Sequence, residues 1–327
     1  MLQELALPFA LGLAVFVFGM KAMEIGLHDW AGPFLSGLLR RFTSSPLRGL
    51  VAGTLATTAL QSSDAVTVIT IGLVNAGVLT FRQTLGIVLG ANVGASLTAD
   101  MLGLDMTAQA LPMLLAAGSC WFLCLLIQRL RRGDGTSRAV RAAVPLRHLS
   151  LTVCGFASVL IGMERMYRIV PELQSRGLFV WFLERAQDSL ALGLAAGAFV
   201  TAIIQSSAAT ITVAMGLASV QAISVELGIA IVLGANIGTC STALLACIGG
   251  TRAGQYVAWS HILLNLGGSL LFFPFIAELA ALSAIGTESP YDQIARAQTL
   301  FNAICSLIAL PLCYIGVNTY RKRRKLR

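Results

Sequence analysis

Apolar runs about 20 residues long recur along most of the chain, divided by short polar breaks. Uninterrupted runs cover roughly 5–27, 84–104, 108–128, 149–169, 228–249, 256–282 and 296–318. At 1.5 Å rise per residue, about 20 helical residues cross about 30 Å of hydrocarbon, so each run predicts a membrane-spanning helix. Two further apolar regions, 48–80 and 190–226, are interrupted at their centres by Gln61-Ser62-Ser63-Asp64 and Gln205-Ser206-Ser207. Their halves are too short to span and predict two re-entrant helical hairpins, whose non-helical tips need protein or a wet cavity around them. Loops are short except around 29–47, 129–147 and 284–294. The first run lacks a small-residue cleavage signal and predicts a retained span, not a removed leader. The fold class that follows is an all-α polytopic membrane protein.

Composition agrees. Of 327 residues, 56% are hydrophobic and 12% charged, against about 25% charged in an ordinary soluble domain. Mean hydropathy is +0.79. A soluble globule of this size lacks the polar residues to face water, which excludes soluble enzymes as first readings. The net charge of +8 does not point to nucleic acid, because the bases are placed at the ends of apolar spans. Six lie between Arg129 and Arg147, and six in the last seven residues. Such stretches mark a cytoplasmic face and contact membrane lipids. Seven dispersed cysteines form no CxxC pair and read as buried reduced hydrophobes.

The chain repeats itself. At a shift of 144 residues, 17 of the 47 positions from Gly53 to Ala99 are identical. Gln61-Ser62-Ser63 falls on Gln205-Ser206-Ser207, and Gly90-Ala91-Asn92-Val93-Gly94 falls on Gly234-Ala235-Asn236-Ile237-Gly238. Gly19-Met20 resembles Gly162-Met163, so the duplication begins a helix earlier. With the 129–147 connector cytoplasmic, span counting in both directions puts 17 bases inside and five outside, with Lys21 inside the first helix. The first hairpin then enters from the cytoplasm and the second from outside. This is an inverted repeat, an arrangement that offers a transporter two alternative closures around one midplane site. The predicted organisation is repeat 1 over 1–128 with its hairpin at 48–80, the basic connector 129–147, and repeat 2 over 148–283 with its hairpin at 190–226. A C-terminal membrane helix over 284–320 and a basic tail over 321–327 complete it.

The polar tips carry the candidate chemistry. Ser62, Ser63, Ser206 and Ser207 supply hydroxyls, and Gln61 and Gln205 supply amides. Helices beginning after the tips present N–H groups that favour an anion, while the broken ends and hydroxyl oxygens suit a small hard cation. A coupled cation and oxyanion fit better than either alone. Asp64, replaced by Ala208 in the second copy, is costly at membrane depth without a cation, proton or partner, and is the expected ion-coupling group beside the anion. Asn92 and Asn236 are expected to contribute to the substrate site. Thr98, Thr242, Ser96 and Ser241, about one turn later, are expected in ion binding, and Asp100 with less weight. Gly90, Gly94, Gly234 and Gly238 permit close approach or a helix break. Asn265 and Asn302, in two weakly similar segments, are expected to support the core. His261 has no neighbouring ligand cluster, so no transition-metal centre is expected. No catalytic residue set, cofactor motif or nucleotide loop is present, which favours a secondary transporter and not an enzyme.

Paired Gln-Ser-Ser motifs, each followed about 28 residues later by Gly-Ala-Asn-x-Gly, resemble the sodium/phosphate cotransporter family, both its animal type II proteins and its bacterial branch. The resemblance covers roughly 10–280 and implies inorganic phosphate as substrate, Na+ as coupling ion and a cytoplasmic-membrane location. It implies that 61–63 and 205–207 contribute to the substrate site. Three departures stand out. Many relatives have a small residue or serine where this chain has Asp64, which bears on the ion. Many bacterial relatives continue into a PhoU-like helical domain, and no such domain is expected here. Animal relatives place the connector outside, against the charge pattern of 129–147. Proton-coupled transport, another oxyanion, or phosphate export are the alternatives. An anion channel and a membrane enzyme acting on a phospholipid rank lower. A homo-oligomer is compatible with the sequence.

Overall fold

The computed structural model describes residues 2–43, 45–102, 109–130, 138–167 and 189–325. Among these, the regular structure is helical, with no strand. In chain order the helices are α1 (Leu2–Phe42), α2 (Pro46–Leu60), α3 (Ser63–Asn75), α4 (Phe81–Leu102), α5 (Ala110–Leu130) and α6 (Arg138–Tyr167). They continue as α7 (Leu190–Ile204), α8 (Ser207–Ser219), α9 (Val225–Gly238), α10 (Cys240–Cys247), α11 (Arg252–Phe272), α12 (Ile276–Ser283) and α13 (Pro290–Lys325). Six stretches of the described residues are long and apolar enough to cross a bilayer: Ala10–Trp30, Ala110–Leu130, Arg138–Gly162, Val225–Cys247, Arg252–Ser283 and Pro290–Tyr314. The chain is an all-α, multi-pass membrane protein. Large side chains such as Phe122, Leu263 and Leu307 are correspondingly exposed, as lipid-facing residues are.

The chain divides into two compact units, Met1–Pro33 with Leu104–Val180 and Phe34–Gly103 with Trp181–Arg327. In the first, α1 and α6 pack through small residues. A Cβ on Gly19 would stand 2.7 Å from the Gly155 carbonyl oxygen, and one on Gly162 2.6 Å from the Phe16 nitrogen. Small residues let membrane helices approach closely enough for dispersion to hold them. On α5 the buried residues are Ala110, Ala117 and Cys124, a seam of seven-residue spacing, and α5 packs on α6. His148 Nδ1 lies 3.4 Å from the Asp29 carboxylate.

The second unit holds both polar breaks. Helix α2 packs along α4, and α7 along α9, with the same glycine contacts. A Cβ at Gly53 would strike the Ile87 carbonyl oxygen, and one at Gly197 that of Ile231. Gly90 faces the Leu50 carbonyl as Gly234 faces that of Leu194. Gly94 abuts Thr57 and Gly238 abuts Thr201. Left-handed residues recur as well, with Gln61 matched by Gln205 and Gly77 by Gln221.

Three expectations need correction. Helix α4 runs unbroken through Gly90 and Gly94, whose role is close approach to α2; only the second copy ends a helix there, at Gly238. The segment 29–47, read as a loop, is helical through Phe42: the Gly32-Pro33 pair that suggests an exit is accommodated within α1, and the chain leaves the helix only before Pro46 opens α2. Much of the basic connector is helical, with α5 reaching Leu130 and α6 starting at Arg138. Residues 131–137, and the bases at 168, 176 and 185, lie outside the described residues.

Candidate functional site

Each polar tip is a helix end, one left-handed glutamine, and a serine cap. Gln61 has φ 54° and Gln205 φ 57°. A side chain in that region costs roughly 1–2 kcal/mol, so something else must hold both residues there. The Gln61 amide nitrogen donates to the Thr58 carbonyl at 3.0 Å, and that of Gln205 to the Ala202 carbonyl at 2.6 Å. Gln205 is further fixed by α10: its amide nitrogen lies 3.0 Å from Ser241 Oγ, and its amide oxygen accepts from Thr242 Oγ1 at 3.0 Å. Ser241 and Thr242 thus act on the second tip through Gln205. The Thr98 and Asp100 side chains, and those of the basic tail, lie outside the described residues.

The two serines of each tip do different work. Ser62 Oγ accepts from the Ala65 N–H at 3.1 Å, and Ser206 Oγ from that of Ala209 at 3.2 Å. Both are N-caps, each worth about 1 kcal/mol of helix stability. Ser63 and Ser207 are the first residues of α3 and α8, and their hydroxyls make no hydrogen bond to any described residue. Of the four first-turn donors of α8, the cap and the Ser206 carbonyl occupy those of Ala209 and Thr210. The N–H groups of Ser207 and Ala208 stay open beside the Ser207 hydroxyl, a set that suits an anion.

The first tip differs in charge. Asp64 lies in the first turn of α3, where the helix dipole favours a carboxylate, so that N-terminus already carries its own negative group. Helix α3, which opens at this tip, packs on α10. Both hairpins therefore contact α10, the first through α3 and the second through Gln205. Oxygen is also more plentiful at the first tip. Thr201 Oγ1 donates to Thr210 Oγ1 at 2.8 Å, but the counterpart of Thr210 is Val66, and buried Thr57 Oγ1 has no hydrogen-bond partner among the described residues. The same holds for Thr58 Oγ1 and Thr67 Oγ1, whose counterparts are Ala202 and Ile211. An unsatisfied buried hydroxyl costs about 1–3 kcal/mol, so the first tip keeps oxygens that packing alone does not explain.

Asn92 and Asn236 are tied into the protein. Asn92 Nδ2 donates to Asn265 Oδ1 at 2.7 Å, and Asn265 Nδ2 lies 3.0 Å from His261 Nε2. Thr239 Oγ1, 3.4 Å from the same ring nitrogen, donates to the Asn236 carbonyl at 2.7 Å. Asn236 Nδ2 donates to the Val232 carbonyl within its own helix at 2.8 Å. A buried chain through α11 thus joins the two Gly-Ala-Asn motifs. Sequence reasoning assigned no role to Ser269 and Ser306, whose hydroxyls donate to the Leu233 and Leu89 carbonyls at 2.9 and 3.1 Å. Their signal was the spacing His261/Asn265/Ser269 and Gln298/Asn302/Ser306, polar residues every fourth position in apolar helices. No group of three or more His, Cys, Asp or Glu side chains occurs among the described residues.

Comparison with known proteins gives this geometry a family. The chain is 30% identical over 306 residues to "Uncharacterized protein YqeW" of Bacillus subtilis, covering 94% of each. It is 28% identical over 300 residues to "Putative inorganic phosphate export protein YjbB" of Escherichia coli K12, covering 91% of this chain and 52% of that protein, so it spans about half of that relative's length. Over 84 residues, 26% of this chain and 12% of the other, it is 40% identical to human "Sodium-dependent phosphate transport protein 2B". No solved structure matches it. The model of the Na+/Pi-cotransporter family matches twice, over residues 15–168 and 158–310. That family is a family of transporters, not of enzymes, and the chain belongs to it.

Proposed function

We propose that the protein is a secondary transporter that couples sodium ions to the movement of inorganic phosphate across the cytoplasmic membrane by alternating access. The observation that carries this reading is the contact of both hairpins with α10, one tip bearing a carboxylate and rich in oxygen, the other an open helix N-terminus. Phosphate binds at the Ser207 end, where hydroxyl and N–H donors are open. The sodium ion sits at the Asp64 end, which attracts a cation and repels the anion. Bound sodium offsets the Asp64 charge and so makes room for phosphate beside it. Ser63 completes the phosphate contacts from the first tip, and Gln61 and Gln205 hold both tips in their left-handed turns. Matching of one family model to each half supports an inverted repeat, with hairpins entering from opposite faces and the connector and tail cytoplasmic. Relatives named for sodium-dependent phosphate transport and for phosphate export support the substrate; export is the second reading, favoured by the E. coli relative's name.

The test is ³²P-phosphate flux in proteoliposomes under imposed sodium, lithium and proton gradients. Flux driven by sodium and lost on replacement by choline at fixed pH is expected; flux indifferent to that replacement rejects sodium coupling. Asp64→Asn is expected to raise the sodium concentration for half-maximal flux by about tenfold or more, the equivalent of about 1.4 kcal/mol of lost ion binding. A sodium titration and pH profile identical to the unsubstituted protein removes Asp64 from the ion site.

A further inference from the structure

Helices α11 and α13 carry the same polar ladder, offset by 37 residues: His261, Asn265 and Ser269 on one, Gln298, Asn302 and Ser306 on the other. The last rung is used alike, each serine donating to the carbonyl that precedes a Gly-Ala-Asn motif. The first two rungs are not. On α11 they close on each other, with Asn265 Nδ2 3.0 Å from His261 Nε2, while Asn92 supplies the donor for Asn265 Oδ1. On α13, Gln298 Oε1 and Asn302 Oδ1 receive no hydrogen bond from any described residue, although the two side chains are only 2% and 1% exposed.

The Asn302 side chain stands beside a further oxygen. Asn302 Nδ2 donates to Ser96 Oγ at 2.9 Å, and Ser96 is fully buried. The Ser96 hydroxyl in turn lies 3.4 Å from the Gln298 carbonyl oxygen and 3.5 Å from that of Asn92. Because the Ser96 proton is directed at a helix carbonyl, its oxygen accepts from the amide nitrogen, and the amide oxygen is the atom left over. Gln298 and Asn302 stand one helical turn apart on one buried face of α13, so two amide oxygens without a donor among the described residues share that face, with the Ser96 hydroxyl bonded to the second residue.

We propose that Gln298 Oε1, Asn302 Oδ1 and Ser96 Oγ form a binding site for a small monovalent cation of sodium size, wedged between α4 and α13 and separate from the cation at Asp64. All the ligands are neutral oxygens. A hard cation takes such ligands in place of its hydration shell, and a divalent ion would stay undercompensated in a site without a carboxylate. This inference shares with the proposed function only the identity of sodium as a ligand. A buried water, which has two protons to give, would also satisfy the two amide oxygens and is the rival occupant.

The test is ²²Na+ equilibrium binding to the purified full chain in detergent without phosphate, beside thermal unfolding in sodium and in choline chloride. Gln298→Met with Asn302→Leu keeps the side-chain volumes and removes both oxygens. This variant is expected to bind one sodium ion fewer per chain, to lose part of the sodium-dependent rise in Tm, and to keep the wild-type Tm in choline. Where it does not fold, Asn302→Asp decides: a carboxylate there is expected to tighten sodium binding tenfold or more. Unchanged sodium number and midpoint in the folded variants overturns the site and leaves a water there, as does wild-type protein that binds no sodium. Unchanged ²²Na+ binding in these variants, together with sodium-driven phosphate flux, sinks this site alone. Sodium binding that the variants remove, with phosphate flux blind to sodium, supports the site and sinks the coupling reading alone.

Discussion

Alanine at both Ser63 and Ser207 will reduce phosphate flux to near background while the yield of folded protein stays at the wild-type level. Neither hydroxyl holds anything else in place among the described residues, so removing it opens no buried bond within them. Each hydroxyl offered to a doubly charged oxyanion is worth about 1.5–3 kcal/mol. Each single substitution should thus lower flux at subsaturating phosphate about 10- to 100-fold, and the pair more than either. The neighbouring caps supply the contrast. Ser62→Ala and Ser206→Ala remove the acceptors of the Ala65 and Ala209 N–H groups, and should cost about 1 kcal/mol each in unfolding free energy. Transport by the cap variants should fall less than by the Ser63 and Ser207 variants. Flux assays on all four at matched protein amounts check the division. Equal losses at 62 and 63 would mean that the tips act through their shape and not through the second hydroxyl.

The largest structural effect belongs to Gly90 and Gly234. A Cβ on Gly90 would collide with the Leu50 carbonyl oxygen and stand 2.7 Å from the Thr54 nitrogen; one on Gly234 would meet the Leu194 carbonyl oxygen and stand 2.9 Å from the Ala198 nitrogen. These obstacles are backbone of the packed partner helix, so no rotamer change relieves them. Gly90→Ala or Gly234→Ala must spread α2 from α4, or α7 from α9, and with them the glycines at 53, 94, 197 and 238. The cost is about 3 kcal/mol or more, a large part of the stability of an ordinary domain. Size-exclusion profiles and thermal unfolding of the purified variants should show mostly aggregated or unfolded protein. By contrast, Gly118→Ala on α5, where nothing lies within 4 Å of the added methyl, should behave as wild type.

These contrasts also say what the bare sequence could and could not disclose. The tips, the glycines and the 144-residue period were legible because duplication wrote the same uncommon polar residues twice at equal separations. The sequence also showed that glycine matters at 90 and 234. It did not show why, since close approach and helix breaking demand the same residue, and only the partner backbone at Leu50 and Leu194 separates them. Ser62 and Ser63 are chemically identical in a string of letters; the β-region φ of −151° at Ser62, just outside α3, makes one a cap and frees the other. The bonds from Asn302 to Ser96 and from Ser306 to Leu89 join residues 206 and 217 positions apart. Only helix packing brings them together. The vacancies at Thr57, Gln298 and Asn302 were invisible for the same reason, because an orphaned oxygen is defined by its neighbours.

Alternating exposure of the two tips around one phosphate site is the claim from which the rest follows, and thiol accessibility tests it most directly. With the seven native cysteines removed, Ser63→Cys and Ser207→Cys would each be placed in right-side-out and inside-out vesicles and exposed to a membrane-impermeant maleimide, with and without sodium and phosphate. The account predicts that each tip cysteine reacts from both sides of the membrane and that phosphate with sodium slows both reactions. Reaction of each cysteine from one side only, unaffected by phosphate, would contradict it.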